Sequence, residues 1–501
     1  MAITDIENGD NKSPEDLKEP FIVNTSRNVN SSQETDQNGT IKMALLSTAV
    51  AVCGSTEFGA CVGFSAPTQL AICKDLNLSV AEFSLFGSII TIGAMIGAVT
   101  SGRIADTIGR KGGSVLLDTG RFFTGYGIGI FTFVVPVYIA EISPKELRGG
   151  LTTLNQVNLD AYISITFCFF FSKFELGTLQ RFIFCLFIQF MIVTGSSISF
   201  LLGTVVSWRT LAITTGLAPC ILLIAGLFFI PESPRWLAKV GRKVEFENSL
   251  RKLRGEKANI TAEAKEIQET ILTLQSLPKA RLLDLFEPQY IKPVIISVGL
   301  MICQQSGGIN GIGFYASETF IFAVDDAERF NAGLKSGKSG TIAYALIQIP
   351  ITIVGMVLLD KSGRRVLLLV SSFGTCLGCF ITGTAFFFKG QGILLEWVPF
   401  LAVSGVLVFI AFFSVGMGAI PWLIMSEIFP LHIKGAAGSL VCIVNWLGAW
   451  VVSYSFNFLI NWSPAGTFWL FAGFGVLNII FVAKLVPETK GKSLEEIQAS
   501  L

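Results

Sequence analysis

The sequence predicts an all-α membrane protein built from two related bundles of six helices. Three observations lead to this prediction: an apolar composition, a series of apolar runs long enough to cross a bilayer, and two short motifs that each occur twice at nearly the same interval. Together they favour a duplicated membrane bundle over a soluble globular domain.

Composition places the chain in a membrane. Of its 501 residues, 51% are hydrophobic and 15% are charged, whereas soluble proteins are about 25% charged. The ten cysteines are scattered, mostly within apolar runs, so we expect small buried thiols and no disulfide framework, metal site or cofactor. The net charge of +1 gives no sign of a nucleic-acid partner. The lone histidine, His432, has no nucleophile, metal or nucleotide motif beside it, which argues against an enzyme.

Apolar runs of about 20 residues, the length that crosses about 30 Å of hydrocarbon, recur along the chain. Ten are well defined, and they include residues 44–64, 211–230, 341–359 and 468–486. Lys and Arg concentrate in the loops after the second, sixth and eighth spans. The positive-inside rule therefore places these loops and the amino terminus in the cytosol.

The predicted organisation has five parts. Residues 1–42 lack an apolar core, so they are expected to form a disordered cytosolic tail and not a signal peptide. Two helix bundles follow at 43–231 and 291–486. Between them, 232–290 is charged and helix-forming, which indicates cytosolic helices, and 487–501 is a second cytosolic tail.

Two motifs occur once in each half of the chain. The basic motif around Asp106, Gly-Arg-Ile-Ala-Asp-Thr-Ile-Gly-Arg-Lys, matches Leu-Asp-Lys-Ser-Gly-Arg-Arg around Asp360, 254 positions later. Pro-Glu-Ser-Pro-Arg from Pro231 matches Pro-Glu-Thr-Lys-Gly from Pro487, 256 positions later. Nearly equal intervals indicate that one bundle has been duplicated.

A third repeated motif breaks this interval. Glu141 and Glu427 each begin a Glu-Ile-x-Pro motif but lie 286 positions apart, so about 32 residues are absent before Glu141 and about 30 are extra after it. Only one span, roughly 122–140, separates two basic loops that should both be cytosolic. The missing piece is therefore a whole third span. The extra stretch, 157–189, contains an apolar run that is too short to replace this span. We therefore expect an aberrant splice product or gene model, with a re-entrant hairpin as the alternative.

Several motifs occur in a specific order along the chain: the motif around Asp106, Pro-Glu-Ser-Pro-Arg-Trp at 231–236, Gln-Gln-Ser-Gly-Gly-Ile-Asn at 304–310, Pro421-Trp422, Asn445-Trp446 and Pro-Glu-Thr-Lys-Gly at 487–491. In this order they resemble the sugar-porter branch of the major facilitator superfamily, and within it the plant early-responsive-to-dehydration-like transporters. The resemblance implies the major facilitator fold of two six-helix bundles, nominally with 12 spans. Here the third span is missing and about 30 residues are inserted before the fifth.

Amide side chains suited to a sugar occur in the seventh span. A pyranose presents hydroxyls around its rim and two weakly apolar faces, so its site needs groups that donate and accept, plus a flat aromatic wall. Gln304, Gln305 and Asn310 fall within seven residues, where Gly307 and Gly308 should loosen the helix. Adjacent glutamines cannot share a helix face, so we expect one to face the cavity more directly. Amides that only join neighbouring helices are the alternative.

The resemblance adds further candidates for sugar contact. Gln348 and Asn445 are similar to positions that contact sugar in the family. Trp422 looks like the family's ring-stacking tryptophan, and Pro421 before it indicates a break inside a span. Trp446 is a candidate for a second aromatic wall.

Two glutamines compete for the one that helix five contributes in the family. Gln156 follows Asn155 as the motif requires, whereas Gln189 is continuous with the apolar run after it. An unbroken helix over 182–206 would carry Gln189, so we favour that residue and expect Gln156 to be displaced.

Charged residues repeat at the predicted cytosolic ends of both halves. Alternating access needs a closure there that can be released, and opposite charges suit that task. The pattern resembles the salt-bridge network of the family's cytosolic gate, with solvated loop charges worth under ~1 kcal/mol per pair as the alternative. The candidate gate residues are Arg103, Asp106, Arg110, Glu141, Arg148, Asp360, Arg364, Arg365 and Glu427.

The first span bears on energy coupling. Proton-coupled members of the family carry a carboxylate just after Phe-Gly, but Phe58-Gly59 is followed here by Ala60 and Cys61. We therefore expect facilitated diffusion. Glu57 is the candidate proton site of the alternative, a symporter, because an acid inside a membrane span indicates function.

The expected partners are a monosaccharide, in the first instance a hexose, and the lipid bilayer, with protons added in the symport alternative. A non-transporting sugar sensor and a channel are the other classes. A sensor tends to add a long cytosolic extension, and a channel needs a continuous polar stripe. Leu17 with Phe21 and Ile22 loosely resembles a vacuolar sorting signal, so the vacuolar and plasma membranes are both candidate locations.

Overall fold

The computed structural model describes residues 37–77, 79, 81–96, 192–255, 260–276, 282–317, 319–320, 337–430, 433–490 and 496. This part of the chain is almost entirely helical and contains no strand, as the sequence predicts. The third span, the insertion at 157–189 and the start of the predicted helix over 182–206 lie outside the described residues, so they stay predictions.

Four helices of the first half are described. They are α1 (Gln37–Leu76), α2 (Ala81–Ile96), α3 (Ile192–Gly203) and α4 (Trp208–Leu227). At about 1.5 Å per residue, α1 is about 60 Å long, twice the thickness of the hydrocarbon. It begins six residues before the predicted start of the bundle at Met43. Inside α4, Ile213–Leu217 form a π-helical turn.

Glycines let α1 and α3 pack backbone to backbone. A Cβ on Gly59 would overlap the carbonyl of Ile192, and a Cβ on Gly195 would overlap the carbonyl of Thr56. Small residues at such crossings allow close van der Waals contact, which is the main attraction between helices in a lipid environment. This crossing holds the described part of the fifth span against the first.

Three helices form a separate small core between the halves. They are α5 (Pro234–Val240), α6 (Lys243–Arg254) and α7 (Thr261–Ser276). The Ser233 hydroxyl caps α5 by accepting from the Trp236 backbone N–H at 3.2 Å. Arg254 and Glu263 form a two-bond ion pair at 2.9 and 2.8 Å. The segment 232–290 therefore forms helices, as expected. Of these, α6 packs against α1.

Among its described residues, the second half contains the 3-10 turn Leu282–Phe286 and a series of helices. These are α8 (Ile291–Ser306), α9 (Ile309–Phe314), α10 (Gly337–Lys361), α11 (Arg364–Gln391), α12 (Val398–Val415), α13 (Ile420–Ile428), α14 (Lys434–Trp462) and α15 (Pro464–Leu485).

Two of these spans are interrupted where the sequence predicts it. Between α8 and α9, Gly308 adopts a φ of 90°, a conformation that favours glycine. Between α12 and α13, residues 416–419 form a turn, and Pro421 lies in the first turn of α13, where its missing N–H costs little. Both predicted breaks are confirmed.

Among the described residues, five helices are long and apolar enough to cross a membrane: Trp208–Leu227, Arg364–Gln391, Val398–Met425, Lys434–Trp462 and Pro464–Leu485. Shorter apolar helices occur at Ala81–Ile96, Ile192–Gly203 and Ser339–Gly355. We call the end where α1 finishes and α2 starts the outer end, and the opposite end, where α11 and α14 start, the inner end. The positive-inside prediction assigns the inner end to the cytosol.

The two halves share one hydrophobic core at the outer end. It contains Phe64, Phe83 and Phe200 from the first half and Tyr315 and Tyr344 from the second. The Phe200 and Tyr344 rings lie 5.0 Å apart, and the Phe83 and Tyr315 rings lie 6.3 Å apart. Contact between the halves is therefore established at this end.

Candidate functional site

Three of the predicted sugar-binding amides form one hydrogen-bonded group. Gln305, at the end of α8, donates from its Nε2 to Oδ1 of Asn445 on α14 at 2.7 Å. Its Oε1 accepts from Nδ2 of Asn310, just past the helix break. Gln305 and Asn445 are 5% and 6% exposed. We call these three residues the amide network, and it combines donors and acceptors on both sides of the break.

Gln304 has a different environment from its neighbour. Its Nε2 donates to the backbone carbonyls of Met417 and Gly418, which lie in the turn between α12 and α13. That turn has carbonyls outside a regular helix, and buried carbonyls need a donor. The structure therefore separates the two glutamines, as their adjacent positions require: Gln305 belongs to the amide network, and Gln304 joins two interrupted spans.

Gln348 lies where the fifth and eighth spans meet. Its Oε1 accepts a weak hydrogen bond from the Ser196 hydroxyl of α3 at 3.4 Å. One residue further along α3, Ser197 donates to the carbonyl of Ala345 at 2.9 Å. Gln348 is 8% exposed, so it contributes to the boundary between the halves rather than to the amide network.

A third hydrogen bond joins the halves at the outer end. Asn457 of α14 donates to the Ser84 hydroxyl of α2 at 3.0 Å. Together with the two bonds from α3, it forms what we call the outer seam: Ser84–Asn457, Ser196–Gln348 and Ser197–Ala345. Sequence reasoning did not select the serines or Asn457, because single hydroxyls in apolar spans give no signal of their partners.

The two predicted tryptophans occupy different places. Trp422 lies in α13, 6% exposed, within the buried core of the inner end of the second half. Trp446 follows Asn445 on α14 and is 8% exposed. Its ring meets Phe58 of α1 at a centroid distance of 6.1 Å and an angle of 62°. Trp446 therefore borders the amide network and the first half at once.

Glu57 lies in the middle of α1 and is 7% exposed. Its Oε1 accepts from the Cys61 thiol at 3.4 Å. The same oxygen lies 3.9 Å from the position that a Cβ on Gly216 would take, beside the π-helical turn of α4. The acid is thus buried between α1 and α4, well away from the helix ends.

At the inner end the structure brings two predicted gate residues together. Arg364, at the start of α11, lies 3.3 Å from Oε1 of Glu427 at the end of α13. Both side chains are about four-fifths buried, at 17% and 18% exposure. Arg365 donates to the carbonyl of Ala483. The backbone of Asp360 lies in α10, but its side chain lies outside the described part.

A further charged residue, which the sequence did not indicate as a candidate, lies beside Arg364 at the inner end. Glu488, from the repeated Pro-Glu motif, accepts from the backbone N–H groups of Arg364 at 2.9 Å, Arg365 at 3.1 Å and Lys490 at 3.0 Å. A side chain at Gly363 would overlap this carboxylate. Burial alone would raise the pKa of Glu488, but these hydrogen bonds to its charged form outweigh burial and lower the pKa.

Glu488→Gln is expected to destabilise the protein at neutral pH by about 1 kcal/mol, because a helix start loses its anionic cap. Since folding lowers this pKa, the contribution is complete above the pKa of unfolded Glu, about 4.3, and disappears as the pH falls through the folded value. Thermal unfolding of the purified protein at decreasing pH measures it. Glu396→Gln, an exposed carboxylate between α11 and α12, is the control. A Glu488→Gln defect that stays constant down to about pH 2 would contradict the assignment.

Several candidate residues lie outside the described residues. They are Gln156 and Gln189 among the sugar-binding candidates and Arg103, Asp106, Arg110, Glu141 and Arg148 among the gate candidates. Their roles stay predictions.

Comparison with known proteins gives consistent results. A family model described as "Sugar (and other) transporter" matches residues 113–501. Sugar transporter ERD6-like 16 of Arabidopsis thaliana is 56% identical over an alignment that covers 100% of this chain and 98% of that protein. Sugar transporter ERD6-like 7 of the same plant is 51% identical, with 91% and 94% covered.

Solved structures match the fold. The inward open conformation of the xylose transporter XylE from E. coli gives a TM-score of 0.67 at 25% identity, covering 91% of this chain and 99% of XylE. The proton:xylose symporter XylE bound to 6-bromo-6-deoxy-D-glucose gives 0.65 at 25% identity, with 92% and 99% covered. XylE is a major facilitator superfamily protein, so the predicted fold class is confirmed.

Proposed function

Because this chain belongs to the sugar transporter family of the major facilitator superfamily, we propose that it moves a monosaccharide, most simply a hexose, across a membrane by facilitated diffusion. The observation that carries the proposal is the amide network at a break in the seventh span. Gln305, Asn310 and Asn445 supply donors and acceptors in an apolar bundle, which suits sugar hydroxyls. The hexose analogue bound to the related XylE structure supports the choice of substrate.

A second candidate is proton-coupled symport through Glu57, and one observation favours it. The acid is buried inside a span and touches Cys61, the residue at the place of the family's usual carboxylate. A π-helical turn adjoins it, and such turns occur frequently at functional sites. Against coupling, Glu57 faces α4 within the first half, whereas its neighbour Phe58 contacts Trp446 of the second half.

Glu57→Gln decides between these modes. Under facilitated diffusion, proteoliposomes loaded with buffer take up D-glucose only to the outside concentration, a pH gradient adds nothing, and the variant keeps most of the uptake. Thr56→Ser, a neighbouring buried position on α1, is the matched control. Accumulation above equilibrium that depends on the pH gradient and disappears in Glu57→Gln would establish symport instead.

The inner end fits a gate that opens and closes during alternating access. Nε of Arg364 and Oε2 of Glu427 are buried and make no hydrogen bond within the described residues. Oε2 of Glu427 can accept from a basic group of the first half, for which Arg103, Arg110 and Arg148 are the candidates, and Nε of Arg364 can donate to an acidic one, for which Asp106 and Glu141 are the candidates. We infer that the ion pair of the second half forms one side of this gate.

Whether the chain transports depends on its first half. The alternatives are a sugar sensor that binds without transport and an inactive variant that lacks the third span. Sequencing the transcript across residues 110–191 and measuring tracer uptake by the full chain would separate these alternatives. Expression of a tagged chain in plant cells would show whether the vacuolar or the plasma membrane holds it.

A further inference from the structure

Two indole N–H groups lie beside the amide network. Trp446 follows Asn445 directly, and Trp450 lies one turn further along α14. Both indole Nε1 atoms are buried, and neither donates a hydrogen bond within the part of the chain that the structure describes. The amides beside them differ in this respect, because Gln305 donates to Asn445 and accepts from Asn310.

The face of α14 that carries these indoles lies against the first half. The Trp446 ring meets Phe58 of α1, and Asn457, three turns later, bonds to Ser84 of α2. Trp450 lies between these two contacts on the same side of the helix, since residues four apart are neighbours on a helical surface. It is therefore placed at the boundary between the halves, next to the candidate sugar site.

Packing holds the ring of Trp450 in a fixed plane. It stacks on Tyr454 with centroids 5.8 Å apart and planes 20° apart. Tyr454 in turn packs on Phe458 at 5.5 Å. The indole N–H is therefore directed by a row of three aromatic rings along α14, which is the kind of support that a recognition group needs.

The chemistry of an indole selects its partner. An indole N–H can only donate, whereas amides and hydroxyls both donate and accept. The ring oxygen of a pyranose can only accept. Buried donors without an acceptor are rare in native proteins, and each needs an explanation. A second species that brings acceptor oxygens to this boundary provides one.

We propose, on the basis of the sugar-transport function above, that Trp450 is a specificity-determining residue whose indole N–H donates to the ring oxygen of a pyranose. Trp446 donates to a hydroxyl oxygen of the same sugar, about one helical turn away. The amide network contacts the remaining hydroxyls. Because cyclitols and acyclic polyols have no ring oxygen, the pair makes the site selective for pyranoses.

Trp450→Phe tests this in proteoliposomes that contain the full chain. The probes are D-glucose and 5-thio-D-glucose, in which a sulfur atom, a weak acceptor, replaces the ring oxygen. Loss of one hydrogen bond should raise the KM for D-glucose about threefold to tenfold and leave that for 5-thio-D-glucose unchanged. Tyr454→Phe, which keeps the same stack, is the matched control and should change neither value.

The wild-type chain gives a second test that needs no variant, in case Trp450→Phe fails to fold. Its KM for D-glucose should be about threefold to tenfold lower than its KM for 5-thio-D-glucose. It should take up myo-inositol poorly. Equal KM values for the two sugars, or an equal change of both in Trp450→Phe, would overturn the inference and leave the proposed transport intact. A wild-type chain that takes up no D-glucose would overturn the proposed function and this inference with it.

Discussion

Gln305→Leu is expected to reduce D-glucose uptake at least about a hundredfold. The substitution conserves volume but removes the donor to Asn445 and the acceptor for Asn310. A site built to hydrogen-bond hydroxyl groups discriminates by factors of about 10⁴ when such bonds are lost, so even part of that effect is large. Initial uptake rates in proteoliposomes, normalised to folded protein by gel filtration, measure it.

Asn478→Leu is the matched control for Gln305→Leu. Asn478 is a buried amide of the second half, 4% exposed, and within the described residues its Nδ2 donates a hydrogen bond to the sulfur of Met417 at 3.6 Å. Its Oδ1 has no hydrogen-bond partner there, so leucine should be tolerated with little loss of uptake. If Gln305→Leu kept half of the uptake, or if both variants lost it equally, the amide network would not be the sugar site.

Cross-linking across the outer seam is expected to abolish transport completely and reversibly. Alternating access requires the halves to separate at the outer end in part of the cycle. A short methanethiosulfonate cross-linker between Ser84→Cys and Asn457→Cys, which replace a pair 3.0 Å apart, would prevent that. Uptake should fall to the level of empty liposomes and return after reduction.

A pair within one half controls for the cross-link itself. The hydroxyls of Ser317 and Thr341, both in the second half, are 3.1 Å apart, and the corresponding cysteine pair should be cross-linked without loss of uptake. Each single cysteine variant should also keep its activity with the reagent. Continued uptake by protein fully cross-linked between positions 84 and 457 would show that the outer seam does not separate during transport.

Local signals explain which parts of the fold could be predicted from the sequence. Apolar runs along the chain predict the membrane spans. The breaks at Gly308 and before Trp422 could be predicted because glycine and proline alter the backbone within a few residues. Arg364 and Glu427 could be selected as gate candidates because both belong to repeated motifs, whereas only the structure shows that they pair with each other. These features depend little on how distant spans pack.

The parts that could not be predicted depend on distant contacts. Gln304 bonds to carbonyls 113 and 114 positions away, which become available only because another span is interrupted. Glu488 lies 124 positions from Arg364, and its motif gave no indication that the carboxylate caps a helix. That the indole N–H groups of Trp446 and Trp450 have no acceptor within the described residues also depends on how distant spans pack, not on the local sequence. Patterns along the chain identify polar groups in a membrane but not their partners.

The outer seam is made entirely of hydroxyl, amide and carbonyl groups. None of these groups changes its charge in the physiological pH range, and neutral hydrogen bonds are little affected by added salt. Closure at this end should therefore be the same whether the solution outside is acidic or neutral, dilute or concentrated. A carrier facing a compartment whose acidity and ion content vary would keep a constant barrier there, while the charged inner end would respond to ionic strength.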